Sequence, residues 1–518
     1  MTQASYPLGI RDALSGKRIL LTGATGFLAK VVLESLARNV PDVGRVILLV
    51  RAGEGGDARA RFEREIAASS IFDNLRVTRP AALARFFAEQ IECLTGEVTE
   101  PEFGLGTAGF ADLAARVDLV INAAASVNFR EPLDQALAIN TLSLLHLTAL
   151  ARAADAPLVQ VSTCYVNGYG RGDMLEQVVR PARALIPRHH EGWYELDAVL
   201  DALQRKVARV RARVGERDPA LLARRLTELG IREANRHGWN DTYSFTKWMG
   251  EQLALRGMRG RGLSIVRPSI IESTLRAPSP GWIEGVKVAD AVILAYARGR
   301  TSFFPARPEG IIDVIPADLV ANSVLMASAE RLQAGPGRRI YQCCSGSANP
   351  ILVGRLIELL QTEAKRNWRQ YDKLFHAEPR HDFRVIGNLR FRAMMAALAL
   401  GAGVWSGLRR LAGAPGESRA MEKLRTTRLL AITFSFYAQP RYRFHNTQLL
   451  ELAGRFGEEA ETVFPIDARL IDWEDYLCRI HMAGLNRYAL KRKEAASSTA
   501  ASAPADARIA LVKPQAAR

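Results

Sequence analysis

Thr22-Gly23-Ala24-Thr25-Gly26-Phe27-Leu28-Ala29 follows an apolar run, Ile19-Leu20-Leu21, and leads into Leu28, Val31, Val32, Ser35 and Leu36 at helical spacing. Strand, glycine turn and helix in this order bring a pyrophosphate onto a helix N-terminus. Small residues let the backbone approach, and the exposed N–H groups bind the anion. Gly23 and Gly26 make the turn, and Thr22, Thr25, Phe27 and Leu28 surround it. Ala29 stands where a third glycine is common, and alanine fits the helix–sheet contact nearly as well.

Outward from this turn, short β-branched runs alternate with helical patterns as far as about Arg152. Val46-Ile47-Leu48-Leu49-Val50 and Leu119-Val120-Ile121 are examples. The rhythm predicts an α/β protein, a doubly wound parallel sheet of the Rossmann type with helices on both faces. The second strand ends in Arg51 rather than an acid. An acid there accepts from the 2′-hydroxyl of NADH, whereas an arginine pairs with a 2′-phosphate, so NADPH is the expected cofactor. Glu97 and Val98, after a third strand, are placed at the adenine. Asn122, Ala123 and Ala124, after a fourth, offer small residues where the cofactor passes close to backbone.

The fifth strand, Leu158-Val159-Gln160-Val161, delivers Ser162 and Thr163 at its carboxyl end, where parallel sheets bind ligands. Further on, Tyr243 and Lys247 stand one helical turn apart on one face. A phenol of ordinary pKa near ~10 is a poor acid or base at neutral pH. A neighbouring ammonium is expected to bring it towards the working range. Thr163 would hold a carbonyl oxygen beside Tyr243, and Lys247 would also serve the cofactor ribose.

Composition bounds the rest. The chain has 518 residues, 48% of them hydrophobic, enough to bury the core of more than one domain. The reading divides it into residues 1–350, the cofactor-binding domain with a helical insert at about 170–238; 351–492, a mainly helical carboxy-terminal domain; and 493–518, a tail rich in Ala, Ser and Pro, expected to be disordered. The amino terminus lacks the apolar run of a secretory signal, so a cytoplasmic location is expected. Cys93, Cys164, Cys343, Cys344 and Cys478 match no zinc spacing and read as reduced thiols. The net charge of +16 favours anionic partners, but no nucleic-acid-binding module accompanies it.

The motifs TGATGFLAK, VILLVRAG, INAAASVNF, VSTCYVNG, YSFTKWMGE, IVRPSII and PGWIEGVKV, with Ile471 to Tyr476 and Gly484 to Tyr488 near the end, resemble the fatty acyl-CoA reductases. These are male-sterility-type members of the extended short-chain dehydrogenase/reductase superfamily. The resemblance covers most of the chain. It implies NADPH-dependent reduction of a fatty acyl-CoA or acyl carrier protein thioester to an aldehyde and on to an alcohol. It also implies catalytic roles for Thr163, Tyr243 and Lys247, with Ser162 as an orienting hydroxyl and no metal. The long stretch between Thr163 and Tyr243 is similar to that family and unlike sugar-nucleotide epimerases.

Two further segments bear on partners. In the insert, Leu203, Val207, Val210 and Val214 recur at helical spacing among Arg205, Lys206, Arg209, Arg211, Arg213 and Arg217. This reads either as a landing surface for coenzyme A phosphates, a carrier protein or an anionic membrane, or as a solvated face. The uncharged run Ala393–Leu408 is too short to cross a bilayer core of ~30 Å. It reads as cover for an acyl tunnel, a membrane-surface segment or a buried helix. Two alternatives stand beside the reductase: a carrier-bound thioester reductase releasing an aldehyde, and a non-catalytic NADPH sensor. Sensors commonly lack the Tyr and Lys pair.

Overall fold

Alternate residues of the first strand serve two cores. Ile19 and Leu21 point to one side and pack with Val32, Leu36, Val320 and Val324, while Leu20 points to the other and packs with Leu147, Trp248 and Leu253. This two-sided burial is the physical reason the strands read as continuous apolar runs. The computed structural model describes residues 6–490 except 7, 53–55, 184, 216, 288–289, 300–302, 380, 388–389, 392, 395, 399, 402–435 and 438–441. The expected tail and the second half of the run Ala393–Leu408 lie outside the described residues.

The central sheet has seven parallel strands: β1 (Arg18–Thr22), β2 (Arg45–Val50), β3 (Ile91–Thr95), β4 (Leu119–Asn122), β5 (Leu158–Val161), β6 (Gly262–Pro268) and β7 (Gly337–Cys343). Their spatial order is β7-β6-β5-β4-β1-β2-β3. The order reverses between β1 and β4, and a crevice for ligands opens at such a switch point beyond the carboxyl ends. Helices α1 (Phe27–Asn39) and α6 (Ala317–Gln333) cover one face. Helices α2 (Ser143–Ala153) and α5 (Thr242–Gly257) cover the other. The helical run Leu133–Ala153 is long and apolar enough by composition to cross a membrane, yet 56% of its apolar window is buried within the protein.

Between β5 and β6, residues 170–238 contain α3 (Asp197–Val214) and α4 (Pro219–His237). Arg205, Arg209, Arg213 and Arg217 are exposed, Arg211 pairs with Asp134, and Lys206 pairs with Glu233 at 2.7 Å. This layer covers α5: Trp248 Nε1 donates to the Val179 carbonyl at 2.9 Å, and the Tyr194 amide donates to Gln252 at 3.1 Å. Helix α5 is therefore buried nearly all round, which is why its sequence shows no amphipathic stripe.

Residues after 351 enter the same apolar core, through Phe444, Leu449 and Tyr476 among others. Three short strands from this region pair with earlier segments. Ile351–Leu352 joins Ile311–Ile312, Arg384–Ile386 joins Phe303–Pro305, and Tyr442–Phe444 joins Gly172–Met174. Gly281 and Gly484 meet back to back, and a Cβ on Gly281 would strike the Ile480 carbonyl. All five cysteines are free thiols.

The position of α5 against the sheet depends on a buried ion pair. Arg267 of β6 donates to both carboxylate oxygens of Glu251, at 2.8 and 2.7 Å, and to the Gln177 carbonyl at 2.9 Å. Both side chains are almost wholly excluded from solvent, so removing one partner leaves an uncompensated charge. Glu251→Leu is expected to lower stability by about 3–5 kcal/mol, read by denaturant unfolding. A loss below about 1 kcal/mol, the size of an exposed pair, would show that this pair does not hold the helix.

Candidate active site

The glycine turn has the shape of a dinucleotide cradle. Gly23 has φ +71°, and a Cβ there would lie 2.6 Å from the Ala124 amide nitrogen and 2.7 Å from the Ala123 carbonyl carbon. The backbone of residues 123–124 thus lies directly against the turn. Gly26 caps α1 without a side-chain acceptor, so first-turn N–H groups are left for an anion. Thr25 is half-buried beside it, and Leu28 packs against the core. Phe27 stacks on Trp282 at 5.4 Å, and the partly buried Lys287 ammonium sits 4.0 Å from its ring centre. Desolvation there pushes the Lys287 pKa down.

Thr22 donates to Asn122, whose amide donates to Gln160 at 2.7 Å, and Gln160 in turn donates to the Val161 carbonyl at 2.7 Å. The Ala124 amide also bonds to Asn122, at 3.2 Å. At the other end of the crevice Arg51 follows β2 and Glu97 follows β3, with Arg51 Nε 3.4 Å from the Glu97 carboxylate. The Arg51 side chain is 58% exposed, free to meet a ligand. Val98 is buried next to Glu97.

Beyond β5, Thr163 accepts from the Tyr165 amide at 3.2 Å and donates to the Pro268 carbonyl at 3.4 Å. Its hydroxyl also engages the Tyr243 phenol. Ser162, anchored through its amide to the Val266 carbonyl at 2.7 Å, has a buried hydroxyl with no partner among the described residues. An unpaired buried hydroxyl at this point fits a ligand oxygen. Lys247 is buried and donates to the Val161 carbonyl at 2.7 Å, one turn along α5 from Tyr243.

The electrostatics differ from the sequence expectation. Burial raises the Tyr243 pKa, the nearby Asp241 charge raises it further, and only the Thr163 hydrogen bond opposes them. Lys247 does not draw the phenol down, because its ammonium is committed to the Val161 carbonyl and burial lowers its own pKa to about 8. Tyr243 is therefore held protonated at neutral pH, the form that donates a proton to a developing oxyanion.

Three positioning residues escaped sequence reading. Asp241 caps α5, accepting from the Ser244 amide at 2.8 Å. Its place just before Thr242-Tyr243 was a readable N-cap signal. Asn140 bonds the Ser126 amide and carbonyl at 3.0 and 3.1 Å and Thr246 at 3.1 Å, tying the loop after β4 to α5. Gln160 sat in plain view inside a strand that otherwise reads as apolar.

Residues 21–324 and 402–492 match two family models, each described as male sterility protein. Fatty acyl-CoA reductase 2, chloroplastic, of Arabidopsis thaliana is 31% identical over 93% of this chain and 80% of its own. The alcohol-forming fatty acyl-CoA reductase of Simmondsia chinensis is 30% identical over 93% of this chain and 99% of its own. The chain belongs to the fatty acyl-CoA reductase family. It is an oxidoreductase that uses a nicotinamide cofactor. Its fold is shared with the terminal R domain of the myxalamid pathway, at a TM-score of 0.56 and 18% identity over 94% of this reductase and 91% of that chain. The R domain of a non-ribosomal peptide synthetase from Mycobacterium tuberculosis aligns at 0.52 and 18%, covering 92% and 94%.

The cradle gives a direct test. Gly23→Ala adds a Cβ against backbone and forces a left-handed φ on an L-residue, so the turn must move away from Ala123 and Ala124. Cofactor affinity is expected to fall more than about tenfold in a fluorescence titration, roughly the loss of one good hydrogen bond to the pyrophosphate. Unchanged affinity would place the cofactor elsewhere.

Proposed function

We propose that this enzyme reduces a long-chain fatty acyl thioester with NADPH, first to the aldehyde and then to the alcohol. The observation that carries the reading is the meeting of Thr163 and a protonated Tyr243 at the end of β5, on the same crevice as the glycine turn. When bound, the nicotinamide supplies hydride to the acyl carbonyl. Thr163 and Tyr243 act on the carbonyl oxygen, the phenol giving up its proton as charge develops there, and the unpartnered Ser162 hydroxyl orients the same oxygen. Lys247, anchored on Val161 one turn along α5 from Tyr243, would hold a bound cofactor ribose. The hydroxyl so formed on the acyl carbon then returns its proton to the phenolate as the carbon–sulfur bond breaks, leaving the aldehyde and a thiolate that takes a proton from water.

An aldehyde is more electrophilic than its thioester and presents the same oxygen to the same hydroxyls. A second reduction therefore needs no new catalytic group, only retention of the intermediate and fresh cofactor. Each buried CH₂ contributes ~0.8 kcal/mol, enough for a long chain to outlast cofactor exchange. Coenzyme A and carrier-protein thioesters offer one and the same carbonyl to the site. The test measures NADPH oxidised against free thiol released from acyl-CoA substrates of graded length. A ratio near two supports alcohol formation. A ratio near one, with aldehyde trapped by hydrazine, would limit the enzyme to a single reduction, and no oxidation with any acyl thioester would remove the reading.

The choice of NADPH rests on Arg51, the cation at the end of β2, which Glu97 engages at 3.4 Å and which turns to a 2′-phosphate as the stronger acceptor. Arg51→Asp removes the cation and adds a repulsive anion, so kcat/KM with NADPH is expected to fall at least about a hundredfold more than with NADH. Equal losses for both cofactors would show that Arg51 does not read the phosphate.

A further inference from the structure

Tyr437 reaches the active site from far along the chain, and it is buried there. Its ring lies 4.5 Å from that of Tyr165 and 5.1 Å from that of Phe129, and Phe129 meets Tyr243 edge-on at 5.5 Å. Its hydroxyl donates to Asp241 Oδ2 at 2.6 Å and lies 3.3 Å from Ser244 Oγ. The other Asp241 oxygen accepts from the Ser244 amide and hydroxyl at 2.8 and 2.9 Å. The carboxylate that caps α5 is thus held from both sides, two residues before the catalytic phenol.

We propose that Tyr437 is a positioning residue for the proton donor: by fixing the Asp241 carboxylate in its cap, it sets the orientation and electrostatic surroundings of Tyr243. The inference rests on the assignment of Tyr243 as the acid. Asp241 is wholly buried, and a buried anion persists only when donors satisfy it. The titratable groups facing it are phenols, namely Tyr437, Tyr243, Tyr169 and Tyr442. Burial raises the Asp241 pKa, and the Tyr437 and Ser244 hydrogen bonds work against that rise. Without the Tyr437 hydroxyl the carboxylate loses a donor and is free to turn, so the cap no longer fixes where Tyr243 stands. The Asp241 charge itself opposes ionisation of Tyr243, and an uncharged residue in its place would let the acid lose its proton at lower pH.

The experiment is a steady-state comparison of Tyr437→Phe, Asp241→Asn and the double variant in the full-length enzyme, with Tyr243→Phe as reference. Tyr437→Phe keeps the ring packing and removes one oxygen. Its kcat is expected to fall about tenfold, with KM and NADPH affinity within about twofold, because only the reacting geometry is disturbed. Asn remains a good helix cap, so Asp241→Asn folds, and with the charge gone the alkaline limb of its kcat profile moves to lower pH. The double variant is little worse than either single one, because the two residues act as one unit. Parent-like kcat in Tyr437→Phe overturns the proposal, as do losses that multiply independently. Should Tyr437→Phe yield no folded protein, an unmoved limb in Asp241→Asn overturns it from the other side. Substantial turnover by Tyr243→Phe would instead defeat the functional reading itself. A dead Tyr243→Phe beside a normal Tyr437→Phe defeats this inference alone.

Discussion

Three polar side chains stand in register at the carboxyl ends of three adjacent strands, Thr22 opposite Asn122 and Asn122 opposite Gln160. All three are buried, and each satisfies the next. A buried amide without a partner costs about 1–3 kcal/mol, so sliding any one strand by a residue would forfeit several such bonds at once. The ladder therefore fixes the register at the strand ends that border the crevice. Its last member and Lys247 share the Val161 carbonyl, so one chain of contacts runs from the glycine turn to helix α5.

Helix α5 takes its chemical properties from being covered on both sides. The sheet lies beneath it, and the layer containing Trp193, Tyr194 and Leu200 lies above. Low dielectric disfavours charge, which explains why Lys247 sits near pKa 8 and why the Tyr243 phenol stays neutral. The two effects have one cause and suit one direction of reaction. Reduction consumes a proton at the acyl oxygen, and in the proposed mechanism the protonated phenol is its donor. A strongly lowered phenol would suit the reverse reaction, in which a base removes a hydroxyl proton.

The sheet was legible where its strands are buried on both faces: β1, β2, β4 and β5 each begin within a residue or so of their apolar runs, whereas β3, Ile91-Glu92-Cys93-Leu94-Thr95, is only partly buried and carries no such run. The placement of the glycine turn, Ser162, Thr163, Tyr243 and Lys247 was legible because strand ends and one helical turn fix it. The direction of the Tyr243 pKa was not. It depends on how much protein covers α5 and on where the Lys247 ammonium points, neither of which follows from spacing. Tyr437 was beyond reach for another reason: a lone aromatic far from the motifs carries no periodic signal, and only tertiary packing brings it to Asp241. Arg51 lay between these cases. Its place after β2 could be read, but its Glu97 partner arrives from β3 by sheet register, Val50 standing opposite Thr95.

The motifs PGWIEGVKV and Gly484 to Tyr488 lie far apart in the chain, and their glycines explain each other. Gly281 has φ +79°, and it approaches Gly484 so closely that neither position has room for a side chain. That contact seats residues 475–489 on the loop carrying Trp282 and Lys287, whose side chains flank Phe27 at the start of α1. His481 adds a buried bond to Asp290 at 2.9 Å and another to Ser273 at 2.9 Å. The carboxy-terminal region thus holds the glycine turn through this loop and helix α5 through Tyr437. A Rossmann sheet alone would position the strand-end hydroxyls. It would leave the helix cap half satisfied and the loop over the glycine turn unsupported, so the arrangement is complete only when the far end of the chain has packed onto the near one.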